Sequence, residues 1–138
     1  MHVRNLLAGF VASCPPSIAL REAARAMDAA AIGSVAVMDG EDLVGIFTER
    51  DLLHALAVGA DPDQERTGDW MTPDPDTVQP DLEVDEAADW MMATGHRHLP
   101  VTDEGGALLG IISIKDVLWA MTDPATRHRV AARQTNPS

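Results

Sequence analysis

Hydrophobic and polar positions follow two rhythms along this chain, and the pair of rhythms occurs twice. Leu20–Ala31 and Val84–Thr94 are rich in Ala and Met, with apolar residues three and four apart. That is the period of an amphipathic helix. Gly33 and Gly95 stand where such helices would end. Each is followed by a short apolar run, Ser34–Met38 and His98–Thr102, which predicts a strand. The turn formers of Asp39–Asp42 and Asp103–Gly106 come next, and Leu43–Phe47 and Leu108–Ile112 complete a hairpin. Asp51–Val58 and Asp116–Met121 then predict closing helices. The stretches Val11–Cys14 and Asp76–Val78 lead into the two copies, followed by Pro16 and Pro80. The predicted unit is therefore β-α-β-β-α, and the fold class is mixed α/β (α+β).

The two copies are related by sequence as well as by rhythm. A shift of 64 residues places Glu22 on Glu86, Ala23 on Ala87, Ala24 on Ala88, Met27 on Met91, Val37 on Val101 and Asp39 on Asp103. One extra turn residue in the second copy moves the shift to 65, and Gly45, Ile46, Asp51, Leu53 and Ala55 then fall on Gly110, Ile111, Asp116, Leu118 and Ala120. One such unit leaves an apolar sheet face exposed. Two units can bury those faces against each other about a pseudo-twofold axis, so a pair is the smallest stable object. The expected organisation is repeat one over residues 1–62, repeat two over 63–122 and a tail over 123–138. Gly59–Gly68 reads as a loop-like connector, and Thr126–Arg133 as a frayed helix within the tail.

Composition narrows the chemistry. The 138 residues carry 22 acidic and 10 basic side chains, a net charge of −12, and Arg127, Arg129 and Arg133 all follow the last acid, Asp123. So acidic a body lacks the basic footprint that a phosphate backbone requires, and no nucleic-acid partner is expected. No apolar run is long enough to span a membrane, and the N-terminal stretch is too weakly apolar for a signal peptide, so it is expected to be structured. With one cysteine, Cys14, there is no internal disulfide and no paired-cysteine metal site; it reads as a small buried residue, and a cytoplasmic location is expected. His96 and His98 lack the neighbours that a metal needs, and His2 and His54 read as surface residues. Trp90 and Trp119 lie within helix patterns and, with Met27, Met91, Met92 and Met121, read as core or dimer-interface packing. No nucleophile–base pair, metal cluster or P-loop is found, so no catalytic residues and no enzyme activity are expected.

The segments GIFTERD (Gly45–Asp51) and GIISIKD (Gly110–Asp116) resemble CBS domains, those named for cystathionine β-synthase. So do the lead-in DWMTPDPDTVQPDLEVDEAADWM (Asp69–Met91) and the strand HLPVTD (His98–Asp103). The resemblance covers roughly residues 3–122. It implies a disc-like pair of repeats, commonly a homodimer, with an adenosyl ligand such as AMP, ADP or ATP bound between the repeats. It also implies that occupancy is passed to a regulated partner protein. With no attached catalytic or transport domain in this sequence, it is similar to stand-alone pairs of this family.

The residues themselves suit such a ligand. Thr48 and Ser113 fall where a strand turns into a helix, and Asp51 and Asp116 follow three residues later on the first turn. Exposed N–H groups there attract anions, and a carboxylate can accept from two ribose hydroxyls. The resemblance assigns phosphate to Thr48 and Ser113, and ribose to Asp51 and Asp116. The same spacing is also a capping box, which needs no ligand. The second repeat has Arg97 and His98 where the first has Gly33 and Ser34, and Arg97 can hold phosphate by two hydrogen bonds or simply end a solvated helix. The favoured site is therefore Thr77, Val78, Arg97, His98, Pro100, Ser113, Lys115 and Asp116. Thr77 and Val78 would line adenine, and Pro100 would leave neighbouring backbone groups free. Arg50 could reach into the first site. The few flanking cations favour AMP over a triphosphate. The competing reading is a ligand-free structural or dimerisation adaptor for a partner protein.

Overall fold

A computed structural model describes residues 1–122. The tail over 123–138, with its expected helix Thr126–Arg133, lies outside the described residues. The first repeat contains β1 (Ser13–Cys14), α1 (Leu20–Ala30), β2 (Ser34–Asp39), β3 (Asp42–Thr48) and α2 (Glu49–Ala57). A short helix α3 (Thr67–Trp70) and the strand β4 (Thr72–Pro73) follow, and then the second repeat: α4 (Val84–Thr94), β5 (His98–Thr102), β6 (Leu108–Ser113) and α5 (Ile114–Met121). Sheet order is β1-β2-β3-β4 in one layer and β5-β6 in the other. The unit is the expected one, apart from the second lead-in, where Val78 makes a single parallel bridge to Val101 in place of a strand.

The halves match at several points of their pairing. Cys14 pairs in parallel with Val37, and Val78 with Val101. Both hairpins carry a bulge at the same point, Val37/Met38 and Val101/Thr102. The closing helices start two residues earlier than the apolar pattern suggests, because Thr48 and Ser113 are the N-caps and each Asp is the third helical residue. One helix end departs from expectation. α4 stops at Gly95 in the left-handed region, but α1 stops at Ala31, also left-handed at φ 54°, before Gly33 is reached.

The segments that precede each repeat exchange places. Val3 N–H donates to the Leu82 carbonyl at 2.8 Å and Arg4 N–H to Pro80 at 3.0 Å, while Val84 N–H reaches Met1 at 2.9 Å. In the other direction, Thr67 donates to Ile18 at 2.8 Å, Gly68 to Pro16 at 2.9 Å, and Leu20 N–H reaches Glu65 at 3.0 Å. Each bond is the other's copy at the repeat spacing. The turn of 3-10 helix at Val3–Leu6 therefore packs on repeat two, and α3, which begins in the last two residues of the expected connector, packs on repeat one.

Two apolar cores result, each completed by the foreign segment. Val3 joins Val84, Ala87, Met91, Leu99, Val101, Ile112 and Val117, with Leu6 and Leu7 against them. Leu20, Ala23, Met27, Val35, Val37, Phe47 and Ala55 form the other core, with Trp70 and Met71 against it. Thr67 is fully buried where its mate is Val3, and its hydroxyl is satisfied by the Ile18 carbonyl at 3.0 Å. Gly45 and Gly110 have no side chain because the foreign segment lies on them. A Cβ on Gly45 would stand 2.9 Å from the Thr72 carbonyl oxygen, and one on Gly110 2.8 Å from the Leu7 Cδ2. Met27 and Met91 take the core half of the expectation, while Trp90, Trp119, Met92 and Met121 lie outside both cores and are exposed, which leaves them the dimer-interface half. Their helices cover the sheets with the opposite face, so the helical pattern alone did not tell inward from outward.

Candidate functional site

Each repeat aims one strand-to-helix junction at the other repeat. The Thr48 hydroxyl accepts from Asp51 N–H at 3.2 Å, and Asp51 Oδ2 accepts from Thr48 N–H at 2.9 Å. Ser113 and Asp116 repeat the exchange at 3.2 and 2.9 Å. Both are complete capping boxes despite having Asp where Glu is usual. Each box spends Oδ2 of its Asp on the backbone. In the first, Oδ1 of Asp51 also accepts from the Thr72 hydroxyl at 3.3 Å, a donor brought by the crossing segment. The matching position of the second is Ala8.

A cleft opens beside each box. The first, of about 730 Å³, places Thr48, Arg50, Asp51 and Thr72 opposite Asp76, His96, Arg97 and His98. The second, of about 700 Å³, places Ser113, Lys115 and Asp116 opposite Asp28, Ile32, Gly33 and Ser34, with Phe10, Val11 and Ala12 along one side. Both volumes suit a small-molecule site. The grouping differs from the sequence expectation. Arg97 faces Thr48 and Asp51 of the other repeat, and does not join Ser113, Lys115 and Asp116. The loop before each second strand lies against the helix start of its own repeat (Glu49 N–H to Gly33 at 3.0 Å, Ile114 N–H to Arg97 at 2.8 Å), and its side chains turn across to the other half. Arg50 does reach the first cleft. Thr77, Val78 and Pro100 line neither of these clefts. Pro100 is buried in the sheet and its carbonyl accepts from Val78 N–H at 3.0 Å, so it serves strand pairing.

Electrostatics separate the two. His96 is paired with Asp76 at 3.0 Å on the rim of the first cleft, both exposed. Arg97 and Arg50 make no ion pair within 4.0 Å among the described residues. The second cleft has Lys115 and an apolar wall in which Phe10 remains 65% exposed. Between the two, His98 is half-buried, and burial holds its imidazole below the ordinary histidine value against the pull of Glu49 and Asp116. Elsewhere, burial pushes the Cys14 thiol up, which keeps it protonated and in the packing role. Among the described residues no group of three or more His, Cys, Asp or Glu is placed to hold a metal ion, and no helix is long and apolar enough to cross a membrane. Sequence reasoning missed Thr72, Asp74, Asp76 and Phe10, which reach the clefts only through the exchanged segments.

Residues 3–58 and 68–123 each match the CBS-domain family profile. The chain is 40% identical over 112 residues to an uncharacterized 17.7 kDa protein of Acidianus ambivalens, covering 80% of this chain and 67% of that one. It spans less than half of several other curated relatives. Among solved structures it is similar to a CBS-domain protein from Agrobacterium tumefaciens, at 35% identity and TM-score 0.80, covering 88% of this chain and 98% of the other. It is also similar to a CBS-domain protein from Pyrobaculum aerophilum complexed with AMP, at 26% identity and TM-score 0.80, covering 96% and 99%. Two matched repeats, a shared β-α-β-β-α order and these likenesses lead to one conclusion: the chain belongs to the CBS-domain family.

Proposed function

We propose that the protein is a regulatory sensor of an adenosyl ligand, with AMP as the favoured occupant of the first cleft. The carrying observation is the pair of Thr/Ser–Asp junctions, each opening on a cleft between the repeats. In the first, the guanidinium groups of Arg50 and Arg97 meet a phosphate, and Asp51 accepts from the ribose hydroxyls in place of Thr72. Two guanidinium groups amid Glu49, Asp51, Asp74 and Asp76 suit a monophosphate better than a triphosphate. The complex of the Pyrobaculum relative with AMP supports this assignment. A regulatory role is in keeping with this site, occupancy favouring one arrangement of the two halves. Such a sensor acts as a homodimer on a partner protein in the cytoplasm, in keeping with its unpaired Cys14.

Calorimetry with AMP, ADP, ATP and adenosine tests the reading. Binding of AMP at micromolar concentration is expected, with a loss of about tenfold or more in Asp51→Asn, which removes the charged acceptor but keeps the shape. Unchanged affinity in that variant removes Asp51 from the site. Absence of binding to all four compounds leaves the adaptor reading instead.

A further inference from the structure

Glu49 and His98 line both clefts. They come from different halves, Glu49 from the first turn of α2 and His98 from the first residue of β5, and meet over Gly33. A Cβ on Gly33 would lie 3.0 Å from Glu49 Oε1 and 3.2 Å from His98 Nε2, so the missing side chain is what admits both groups to the same point. Their mates under the repeat are Ile114 and Ser34, which cannot change charge. The partition between the clefts is thus made of a carboxylate and an imidazole on one side of the pseudo-twofold axis alone.

Resting on the adenosyl-sensor reading, we infer that Glu49 and His98 form a shared titratable wall through which an anion in the first cleft draws a proton onto His98 and is thereby registered in the second. The groups facing His98 are Glu49 on α2 and Asp116 on α5, which favour its protonation, and Arg97 beside it, which opposes it. A phosphate held by Arg97 neutralises the opposing charge and adds a negative one. His98 then takes up a proton, and the imidazolium faces Asp116 in the second cleft. Burial keeps the imidazole neutral down to a lower pH than an exposed histidine, so a proton drawn onto it near neutral pH reports the added charge. Because binding and protonation are linked, affinity for a phosphorylated ligand rises as pH falls from about 8 to about 6, and affinity for uncharged adenosine does not.

Two measurements test this on the intact chain. The first needs no ligand: the imidazole of His98 is titrated by nuclear magnetic resonance in wild type, Glu49→Gln and Asp116→Asn. Both substitutions are expected to lower its midpoint, because each removes a negative neighbour. A midpoint that neither moves overturns the shared wall whatever the ligand. The second is calorimetry of AMP and adenosine in two buffers of different ionisation enthalpy. AMP is expected to bind with proton uptake in wild type and without it in His98→Gln, and adenosine without uptake in either. Equal uptake with both compounds, or uptake that survives His98→Gln, refutes the role of His98. If neither compound binds while the first titration behaves as expected, the wall stands and the adenosyl assignment fails.

Discussion

The two clefts are copies of one plan that has been filled with different chemistry. Both open beside a capping box built on a hydroxyl and an aspartate, and both receive a segment crossing from the other half. The first gained Arg97, His96, Asp74 and Asp76; at the same places the second has Gly33, Ile32, Phe10 and Ala12. The backbone, set by caps, bulges and glycines, is retained by both copies because each depends on it for folding. The side chains pointing into the clefts carry no such constraint. Duplication therefore yields two sites of one shape that differ in charge, and the comparison can be broken at several points.

The largest effect is expected at the glycines under the crossing segments. Gly45→Val would drive its side chain into Met71 and the Thr72 carbonyl, and Gly110→Val into Leu7 alone. A flexible leucine yields more readily than backbone, so urea unfolding should show a loss of about 3 kcal/mol for Gly45→Val and about 1–2 kcal/mol for Gly110→Val. Equal losses would mean that both segments are held equally loosely. Next in size is the contrast in phosphate binding. Arg97→Ala should weaken AMP about tenfold or more while changing adenosine affinity less than about twofold, measured by calorimetry, because only the phosphate contact is removed. Lys115→Ala should weaken AMP less if the first cleft is the phosphate site, and more if the second is. The smallest contrast lies at the helix ends. Ala31 adopts at φ 54° the conformation that Gly95 adopts at φ 78°. Ala31→Gly should stabilise the fold by about 0.5 kcal/mol and Gly95→Ala destabilise it by about 1 kcal/mol, read as opposite shifts of the thermal midpoint.

Much of this architecture was legible in the sequence, for a physical reason. The repeat shift, the helix and strand periods and the turn residues are local, and each half reports them independently. The junctions at Thr48–Asp51 and Ser113–Asp116 were legible as well, because a cap is a four-residue event. What escaped was the partner across each cleft. Arg97 stands 46 positions beyond Asp51 in the chain, and nothing in its neighbourhood says that its side chain crosses to the other half. Nor does local pattern separate Met91, inside the core, from Met92, 81% exposed beside it, or announce that Trp90 and Trp119 face outward. Val3 and Thr67, near-isosteres at matched points, and the matched Gly45 and Gly110 were traces of the exchange, readable only once each segment was seen to lie on the opposite half.

That exchange ties the fate of each half to the other during synthesis. When the ribosome has completed α2, the first apolar core still lacks Trp70 and Met71, while Val3, Leu6 and Leu7 wait for a core whose other residues begin at Val78. Severing the connector should therefore yield not two small independent proteins but two interlocking fragments, each carrying the plug that the other needs to close.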